Sequence, residues 1–439
     1  MHTGLVRISW EAGKELMSAV DFEPGRAQLP GEPGRFDLAR VIYPVEAGTF
    51  FAEYWEKKPL LLTRQEANYY DTLFSMGDLD YIISSTDLRF PAVRMVKDGQ
   101  SIPLARFAED VAWGSDVYQG TIIPEKLYRE YRQGASAVFQ ALHRAWQPLA
   151  LFCRDLEKFF HHHVQANVYL TPKSAQGFKP HYDTHDVFIL QIAGQKHWRV
   201  YEPPLALPHR SQPPDNASLR INPGKLVLEF NLIPGDMLYL PRGYVHEALT
   251  SETESLHITV GITAFTYIEV LNEVMNEAIQ ALKQEPVFRQ SLPVGFSGEE
   301  EVSDALKERL IELVTHHLRQ SDLSKAAFKL QQRFINNREA LLEGYLLELP
   351  RLDNLAPAQC VRQRPGNVYR LTLADDQLSL VFHGKTVTFP GYVEESLRFI
   401  VDQAERTFKI DEIQGPLDDE GKIVLVRRLV LEGFLKLAD

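Results

Sequence analysis

Short apolar runs separated by turns dominate the middle of the chain. Residues 167–171, 187–192, 226–230, 237–240 and 255–261 form such runs, and glycine or proline residues lie between most of them. Runs of this length bounded by turn residues are typical of buried strands. We therefore predict a small β-barrel in this region, with alternate residues of each strand facing its interior.

Helical spacing of apolar residues predicts helices on both sides of this barrel. Residues 36–55 are helical in pattern, and residues 60–62 form a short buried strand after them. A further helix is predicted to begin near Asp78, with this residue as its cap. Residues 135–160 are predicted to be mostly helical, with Pro148 kinking or dividing the helix. Beyond the barrel, the same helical spacing occurs at residues 267–282, 302–318 and 328–342.

The pattern changes again in the C-terminal part of the chain. Residues 378–382 and 386–389 predict a hairpin closed by a turn at His383, and helices are expected at 393–407 and 421–433. This mixture of helices and a hairpin resembles a winged-helix domain. The segment is nearly charge-balanced and has no basic recognition helix, so we predict a structural or protein-interaction module with no direct nucleic-acid binding.

Two histidines and one aspartate form the candidate metal site. His181 and Asp183 lie two residues apart in an extended segment, so their side chains point to the same side. His246 ends a Gly-Asp-x4-Pro-x4-His run and is expected to reach the same place from a distant strand. Two imidazoles and one carboxylate hold non-haem Fe(II) and leave positions open for other ligands. The sequence therefore predicts an iron site.

Composition narrows the possible partners and compartments. The chain has 439 residues and a net charge of −12, which argues against binding nucleic acid through its phosphates and suits a basic protein partner. Two cysteines far apart fit a reducing cytoplasm. The N-terminal segment has no cleavage pattern, and no run of about eighteen apolar residues occurs. We therefore expect a cytoplasmic protein without a membrane span.

Several segments resemble the JmjC-type ribosomal oxygenases, a cupin-like group of nucleolar histidyl hydroxylases and their bacterial arginyl relatives. The likeness is carried by residues 167–169 (Asn-Val-Tyr), 181–183 (His-Tyr-Asp) and 194–199 (Gly-Gln-Lys-His-Trp-Arg), and more loosely by residues 50–64. The resemblance implies an α+β fold built on a double-stranded β-helix, or jelly roll. It also implies the use of Fe(II), 2-oxoglutarate as co-substrate, and O2.

The resemblance extends to the pocket of the co-substrate. It implies that Lys196 pairs with the distal carboxylate of 2-oxoglutarate, since a buried lysine requires an anion opposite it. The alternative is a lysine that extends along the strand to solvent. Asn167 and Tyr169 correspond to residues that line this pocket in the family, although Tyr169 would equally suit a barrel interior. The arginyl branch carries arginine in place of Lys196, so lysine favours the histidyl branch.

The chain departs from the family at one strand of the barrel. Its nucleolar members carry a serine that helps to hold the co-substrate, and this chain has Gly261 at that position. Thr259 or Thr263 lies on the same face of the strand, so either hydroxyl is a candidate replacement.

These observations predict four segments of the chain. They are an N-terminal tail (1–35), a JmjC catalytic domain (36–265), a helical dimerisation region (266–345) and a winged-helix-like domain (346–439). The implied function is hydroxylation of a histidine, or an arginine, on a basic ribosomal protein by a homodimer. Two alternatives stay open: the same centre could demethylate N-methyl-lysine, or the protein could be a non-catalytic cupin that binds a metal or ligand.

Overall fold

The computed structural model describes residues 36–250, 252–291, 304–320 and 323–438, so the predicted tail at 1–35 lies outside the described residues. The helices are α1 Leu38–Ile42, α2 Ala47–Glu53, α3 Met76–Ser85, α4 Pro124–Arg132, α5 Gln147–Phe160, α6 Asn216–Ile221, α7 Tyr267–Leu282, α8 Asp304–Gln320, α9 Leu323–Asn336, α10 Tyr345–Glu348, α11 Glu394–Asp402 and α12 Asp419–Leu431. The strands of the N-terminal half are β1 Leu60–Leu62, β2 Val93–Lys97, β3 Gln100–Ser101, β4 Ala108–Trp113, β5 Asp116–Ile122, β6 Ser136–Phe139, β7 His163–Thr171, β8 Asp186–Gly194 and β9 Lys196–Tyr201. The remaining strands are β10 Leu226–Leu232, β11 Met237–Leu240, β12 Val245–Leu249, β13 Ser255–Thr263, β14 Cys360–Gln363, β15 Tyr369–Ala374, β16 Gln377–Phe382, β17 Lys385–Pro390, β18 Phe408–Lys409 and β19 Leu435–Leu437.

Two antiparallel sheets pack face to face in the predicted barrel region. The larger sheet has the strand order β1-β11-β8-β13-β7-β6-β2-β3, and the smaller one has the order β10-β9-β12. Their facing side chains share one apolar cluster, which includes Val187 and Ile189 of β8 and Trp198 and Val200 of β9. Mixed helices and antiparallel sheets are thus confirmed, and the two-sheet arrangement agrees with the predicted double-stranded β-helix.

Strand β8 is buried on both faces because it separates two apolar clusters. Val187 and Ile189 face the smaller sheet, whereas Phe188 and Leu190 belong to a cluster that includes side chains of α2 and α5. The rings of Phe50 in α2 and Phe188 lie with their centroids 5.8 Å apart. The helices therefore cover the outer face of the larger sheet, and its inner face lines a cavity.

Residues 135–160 begin with a strand and not with a helix, which corrects the prediction. Ser136–Phe139 is the buried strand β6, paired with β2 on one side and β7 on the other. Because this short apolar run lies inside the sheet, cross-strand pairing outweighs its helical spacing. Helix α5 begins only at Gln147, and Pro148 lies in its first turn, where a missing amide hydrogen is no loss.

The start of α3 also differs from the prediction. Ser75 is the N-cap, and its side-chain oxygen accepts a hydrogen bond from the amide of Asp78 at 3.1 Å. The Asp78 carboxylate accepts one in return from the amide of Ser75 at 2.8 Å. The two residues form a capping box, so Asp78 stabilises the helix from its third position.

Three helices follow the barrel, as predicted. Helix α7 has the predicted bounds. Helix α8 is described from Asp304 onward, and residues 302 and 303 lie outside the described residues. Helix α9 ends at Asn336, earlier than expected. The dimerisation role of this region stays a prediction. In the described ranges, no helix has both the length and the apolar character needed to cross a membrane.

The C-terminal region has an apolar core of its own. The predicted hairpin is present as β16 and β17, and the predicted helices correspond to α11 and α12. Strand β15 adds a third strand to the hairpin, and β18-β14-β19 forms a further small sheet; neither was predicted. The winged-helix character of this region stays a prediction.

Candidate active site

His181, Asp183 and His246 lie together at one side of the space between the two sheets. One ligand atom from each residue can be chosen so that all three lie within 4.8 Å of one another. His246 Nε2 is 3.8 Å from Asp183 Oδ2, and the two imidazole centroids are 4.5 Å apart. The structure therefore brings together the three side chains that the sequence suggested as a metal site.

The two imidazoles are oriented by backbone carbonyl groups. His181 Nδ1 lies 2.8 Å from the carbonyl oxygen of Lys179, and His246 Nδ1 lies 3.1 Å from that of Tyr244. A carbonyl oxygen accepts only, so each Nδ1 carries the proton and each Nε2 keeps a free lone pair. Burial lowers the pKa of His246 to about 4. Two imidazoles that present Nε2 to the same place fit a divalent transition-metal ion.

The Asp183 carboxyl completes a donor set suited to Fe(II). Its main-chain carbonyl accepts a hydrogen bond from the amide of Gly243 at 3.0 Å, which ties the segment to the turn before β12. Burial alone would raise the pKa of Asp183, but the rings of His185, His246 and His181 outweigh it and the pKa is lowered. The carboxyl is therefore ionised, and a mixed nitrogen and oxygen set of this kind suits non-haem iron.

A cavity of about 460 Å³ opens next to these side chains, between the two sheets. Strands β7 and β13 of the larger sheet and β9 and β12 of the smaller sheet contribute its walls. This volume is in the range of small-molecule sites. The polar strand residues that line it, apart from His246, are Arg94, Asn167, Tyr169, Lys196, Trp198, His257 and Thr259.

Lys196 points into the protein interior at the start of β9. Its residue is 6% exposed, and Nζ donates a hydrogen bond to Thr171 Oγ1 at 3.1 Å. Burial lowers the pKa of the Lys196 ammonium to about 7. Because the residue is buried, the alternative of a lysine extended to solvent does not hold. Among the described residues, no carboxylate forms an ion pair with it. A buried ammonium of this kind fits an anionic ligand.

The polar residues of β7 are held in place before any ligand binds. Asn167 Oδ1 accepts a hydrogen bond from the amide of Ala141 at 2.9 Å, and the Asn167 side chain also hydrogen-bonds the Tyr169 side chain. The Tyr169 ring stacks on His257, with centroids 4.8 Å apart and an interplanar angle of 2°. Burial raises the pKa of Tyr169 to about 12, so its phenol is neutral. The pocket roles of both residues stay predictions.

Strand β13 carries Gly261, where the family has a serine, and the two threonines considered as its replacement. Thr259 lines the cavity, whereas Thr263 is absent from its described lining and pairs with His163 at the far end of the strand. A Cβ atom on Gly261 would lie 2.5 Å from Cδ2 and 2.8 Å from Nε2 of His185. The His185 ring therefore occupies the space that a serine side chain would need.

Sequence reasoning missed His257 and Trp198, which line the same cavity. A usable signal was present, because His257 alternates with Thr259 on the strand that the apolar pattern predicts. Trp198 likewise alternates with Lys196 on β9. Their neighbours in the cavity belong to other strands, and only the pairing of β13 with β7 brings them close.

Comparison with known families identifies the class of protein. Residues 140–270 match the family model for the JmjC domain. The matched segment spans β7 to β13 and includes all three candidate metal ligands. The chain therefore contains a JmjC domain, and one of its relatives carries the name of a ribosomal oxygenase.

Two relatives illustrate this similarity. The bifunctional lysine-specific demethylase and histidyl-hydroxylase NO66 of Drosophila yakuba is 31% identical over 320 residues, covering 69% of this chain and 45% of the relative. Ribosomal oxygenase 1 of Gallus gallus is 30% identical over 388 residues, covering 82% of this chain and 62% of the relative. The chain thus spans about half to three fifths of the length of these relatives.

Solved structures share the fold. YcfD, a ribosomal oxygenase from Escherichia coli, superposes with a TM-score of 0.51 at 17% identity, covering 90% of this chain and 99% of YcfD. A structure of YcfD in complex with cobalt and 2-oxoglutarate gives a TM-score of 0.50 at 16% identity over 90% of this chain and 99% of YcfD. At these identities the likeness shows the fold alone.

Proposed function

We propose that the chain is an Fe(II)- and 2-oxoglutarate-dependent oxygenase that hydroxylates a side chain of a basic ribosomal protein. One observation carries the proposal: a two-histidine, one-carboxylate donor set and a buried ammonium face the same cavity. The names of the JmjC relatives, and the cobalt and 2-oxoglutarate bound by YcfD, agree with it. When bound, the iron and the keto acid activate O2 and supply the oxidising chemistry.

His181, Asp183 and His246 would hold the iron. Each imidazole binds through Nε2, because Nδ1 is engaged with a backbone carbonyl. Three protein ligands leave coordination positions open for the keto acid and O2. The carbonyl contacts keep both rings in one tautomer and orientation, so the site needs little rearrangement when the metal binds.

Lys196 would bind the distal carboxylate of 2-oxoglutarate. Within the described part of the chain, the ammonium has one neutral acceptor, Thr171 Oγ1. A bound carboxylate would supply the negative charge that a buried ammonium requires. Ile189 and Trp198 lie in the cavity wall and exclude water around this end. Asn167, Tyr169 and Thr259 are the proposed further contacts, and all three line the same cavity.

The charge of the cavity lining supports a histidine substrate over the alternatives. Arg94, Lys179 and Arg220 line the cavity, and Asp183 is the one carboxylate in its described lining. A cationic side chain would meet like charges there, whereas a neutral imidazole would not. Arginine is therefore the second candidate, and N-methyl-lysine, the demethylase alternative, is disfavoured on the same ground. The net charge of −12 favours a basic partner protein as a whole.

The experiment that tests this proposal is intact-mass measurement of ribosomal proteins. Proteins from cells that lack the gene are incubated with the enzyme, Fe(II) and 2-oxoglutarate in air. We expect one ribosomal protein to gain the mass of one oxygen atom with the wild type and with His197→Ala, whose imidazole lies on the outer part of β9 near Glu229. We expect no gain with His181→Ala. Loss of a methyl group would identify a demethylase, and no change on any protein would remove the ribosomal claim.

A homodimer is proposed from the helices that follow the barrel. Large apolar side chains on them are solvent-exposed in the single chain: Ile268, Leu271, Ile279, Leu310, Ile311 and Leu323. Exposed large apolar side chains concentrated on a few helices suit an interface. Light scattering during gel filtration tests it, with a dimer expected for the wild type and a monomer for Leu271→Asp. A monomeric wild type would contradict the proposal.

A further inference from the structure

His257 is a buried imidazole with no role in the proposed iron site or in the proposed contacts to 2-oxoglutarate. It is 3% exposed, lies flat on the Tyr169 ring, and meets Trp198 edge-on with centroids 5.8 Å apart. These contacts fix the plane of the ring. Its Nδ1 atom nevertheless has no hydrogen-bond partner among the described residues. An unsatisfied buried polar atom destabilises the fold, so its persistence here requires a reason.

The position of His257 brings it to the lysine end of the cavity. On β13 and β7, His257 is paired with Tyr169, and Ser255 is paired with Thr171. Thr171 accepts the hydrogen bond from Lys196 Nζ. Residues two apart along a strand are roughly 7 Å apart, so the His257 imidazole and the Lys196 ammonium lie at neighbouring positions on the cavity wall. Both side chains line the cavity.

The chemistry of the ring is that of a neutral donor. Burial and the charge of Lys196 hold the pKa of His257 well below its ordinary value. A neutral imidazole has one N–H group and one acceptor nitrogen. A carboxylate has two oxygens, so one oxygen can pair with an ammonium while the other accepts a hydrogen bond from the ring.

We propose that His257 binds the distal carboxylate of the dicarboxylate co-substrate, donating a hydrogen bond to the group that pairs with Lys196. The inference rests on the proposed 2-oxoglutarate dependence and adds a binding residue to it. This role explains why the position holds a histidine, since a phenylalanine would pack equally well there. A carboxylate bound at this end of the cavity would give the His257 ring a hydrogen-bond partner.

Two variants separate hydrogen bonding from packing. His257→Phe keeps a ring that can stack on Tyr169 and removes both nitrogens, whereas His257→Gln keeps a donor and loses the ring. His197→Phe is the matched control, because that imidazole is one-third exposed and bonded to Asn231 and Glu229 outside the cavity. Thermal unfolding of each variant establishes that it is folded before binding is measured.

The measurement is calorimetric binding to the Mn(II)-loaded protein of two keto acids, 2-oxoglutarate and pyruvate, which lacks the distal carboxylate. We expect His257→Phe to raise the Kd of 2-oxoglutarate about tenfold, the effect of one lost hydrogen bond to a charged group. The Kd of pyruvate is expected to change less than about twofold. His257→Gln is expected to retain part of the affinity, and the control all of it.

Several outcomes would overturn the inference. An unchanged Kd of 2-oxoglutarate in His257→Phe would make the residue a packing element. An equal loss for both keto acids would indicate general damage to the site. If the wild-type protein binds neither keto acid, the proposed 2-oxoglutarate dependence itself fails, which is distinguishable from failure at His257 alone.

Discussion

His181 and His246 face each other across an isolated antiparallel bridge, and each amide donates a hydrogen bond to the other's carbonyl. The distances are 3.2 Å from His181 N to His246 O and 2.8 Å from His246 N to His181 O. The bridge joins the loop before β8 to β12, so the backbone itself sets the separation of the two imidazoles. The candidate metal site is thereby organised without the metal.

Replacing either histidine should abolish metal binding without unfolding the protein. For His246→Ala we expect Co(II) affinity to fall by more than about 100-fold, beyond the 10–100-fold typical of residues outside the coordination sphere. Calorimetry with Co(II) measures this effect. His197→Ala is the control and should bind Co(II) like the wild type. Comparable Co(II) affinity in His246→Ala would show that the metal binds elsewhere.

Lys196→Met should lose the response to 2-oxoglutarate. At a concentration of one hundred times Kd, 2-oxoglutarate stabilises a protein by about 2.7 kcal/mol. We expect this gain for the metal-loaded wild type and less than about 1 kcal/mol for the variant, because the ammonium is missing. Thermal unfolding with and without 2-oxoglutarate measures it. Lys173→Met, at an exposed position, serves as the control; an equal gain in Lys196→Met would refute the role of the lysine.

Lys196 also predicts how stability depends on pH. Burial lowers the pKa of its ammonium from 10.5 to about 7, so the folded protein binds fewer protons than the unfolded chain between these values. The free energy of unfolding of the ligand-free protein should therefore rise with pH from about 7 to about 10, and the cost of the charge is present in full below pH 7. In denaturant titrations, the free energy of unfolding of the wild type should show this rise with pH, and that of Lys196→Met should not. Parallel pH profiles would contradict the assignment.

Arg242 should be a major contributor to stability. Its side chain is 7% exposed, and Nη1 contacts Asp186 Oδ2 at 2.7 Å as well as Glu56. Arg242→Met leaves the buried Asp186 carboxyl unpaired, so we expect a loss of about 3–5 kcal/mol in the free energy of unfolding. Arg199→Met, which removes a surface pair with Glu229, should cost less than about 1 kcal/mol. Equal losses in urea titrations would argue against the buried network.

Gly261 and His185 should behave as a coupled pair. Gly261→Ser places its Cβ against the His185 ring, so we expect a loss of about 1–3 kcal/mol in stability. His185→Ala removes the obstacle, and the double variant should recover most of that loss. A double-mutant cycle by thermal unfolding measures the coupling. Additive effects would show that the ring moves aside at little cost.

The local sequence pattern predicted many residues of the site, but it did not predict which strands lie next to one another. The strand at 237–240 and the helix at 267–282 have the bounds that apolar spacing predicts. Each of them keeps similar surroundings from its first residue to its last, so the local pattern is sufficient to predict it. Apolar spacing wrongly predicts helix at Ser136–Phe139, since nothing nearby in the sequence indicates that β2 and β7 pair with this segment. His257 was missed because its partners, Tyr169 and Trp198, come from other strands.

Succinate formation tests the central claim most directly. Purified wild type, His181→Ala and His197→Ala are incubated with 2-oxoglutarate in air, with and without Fe(II), in the presence of ribosomal proteins. The proposed function predicts Fe(II)-dependent succinate from wild type and His197→Ala, and none above background from His181→Ala. Equal succinate with and without Fe(II), or none from the wild type, would contradict it.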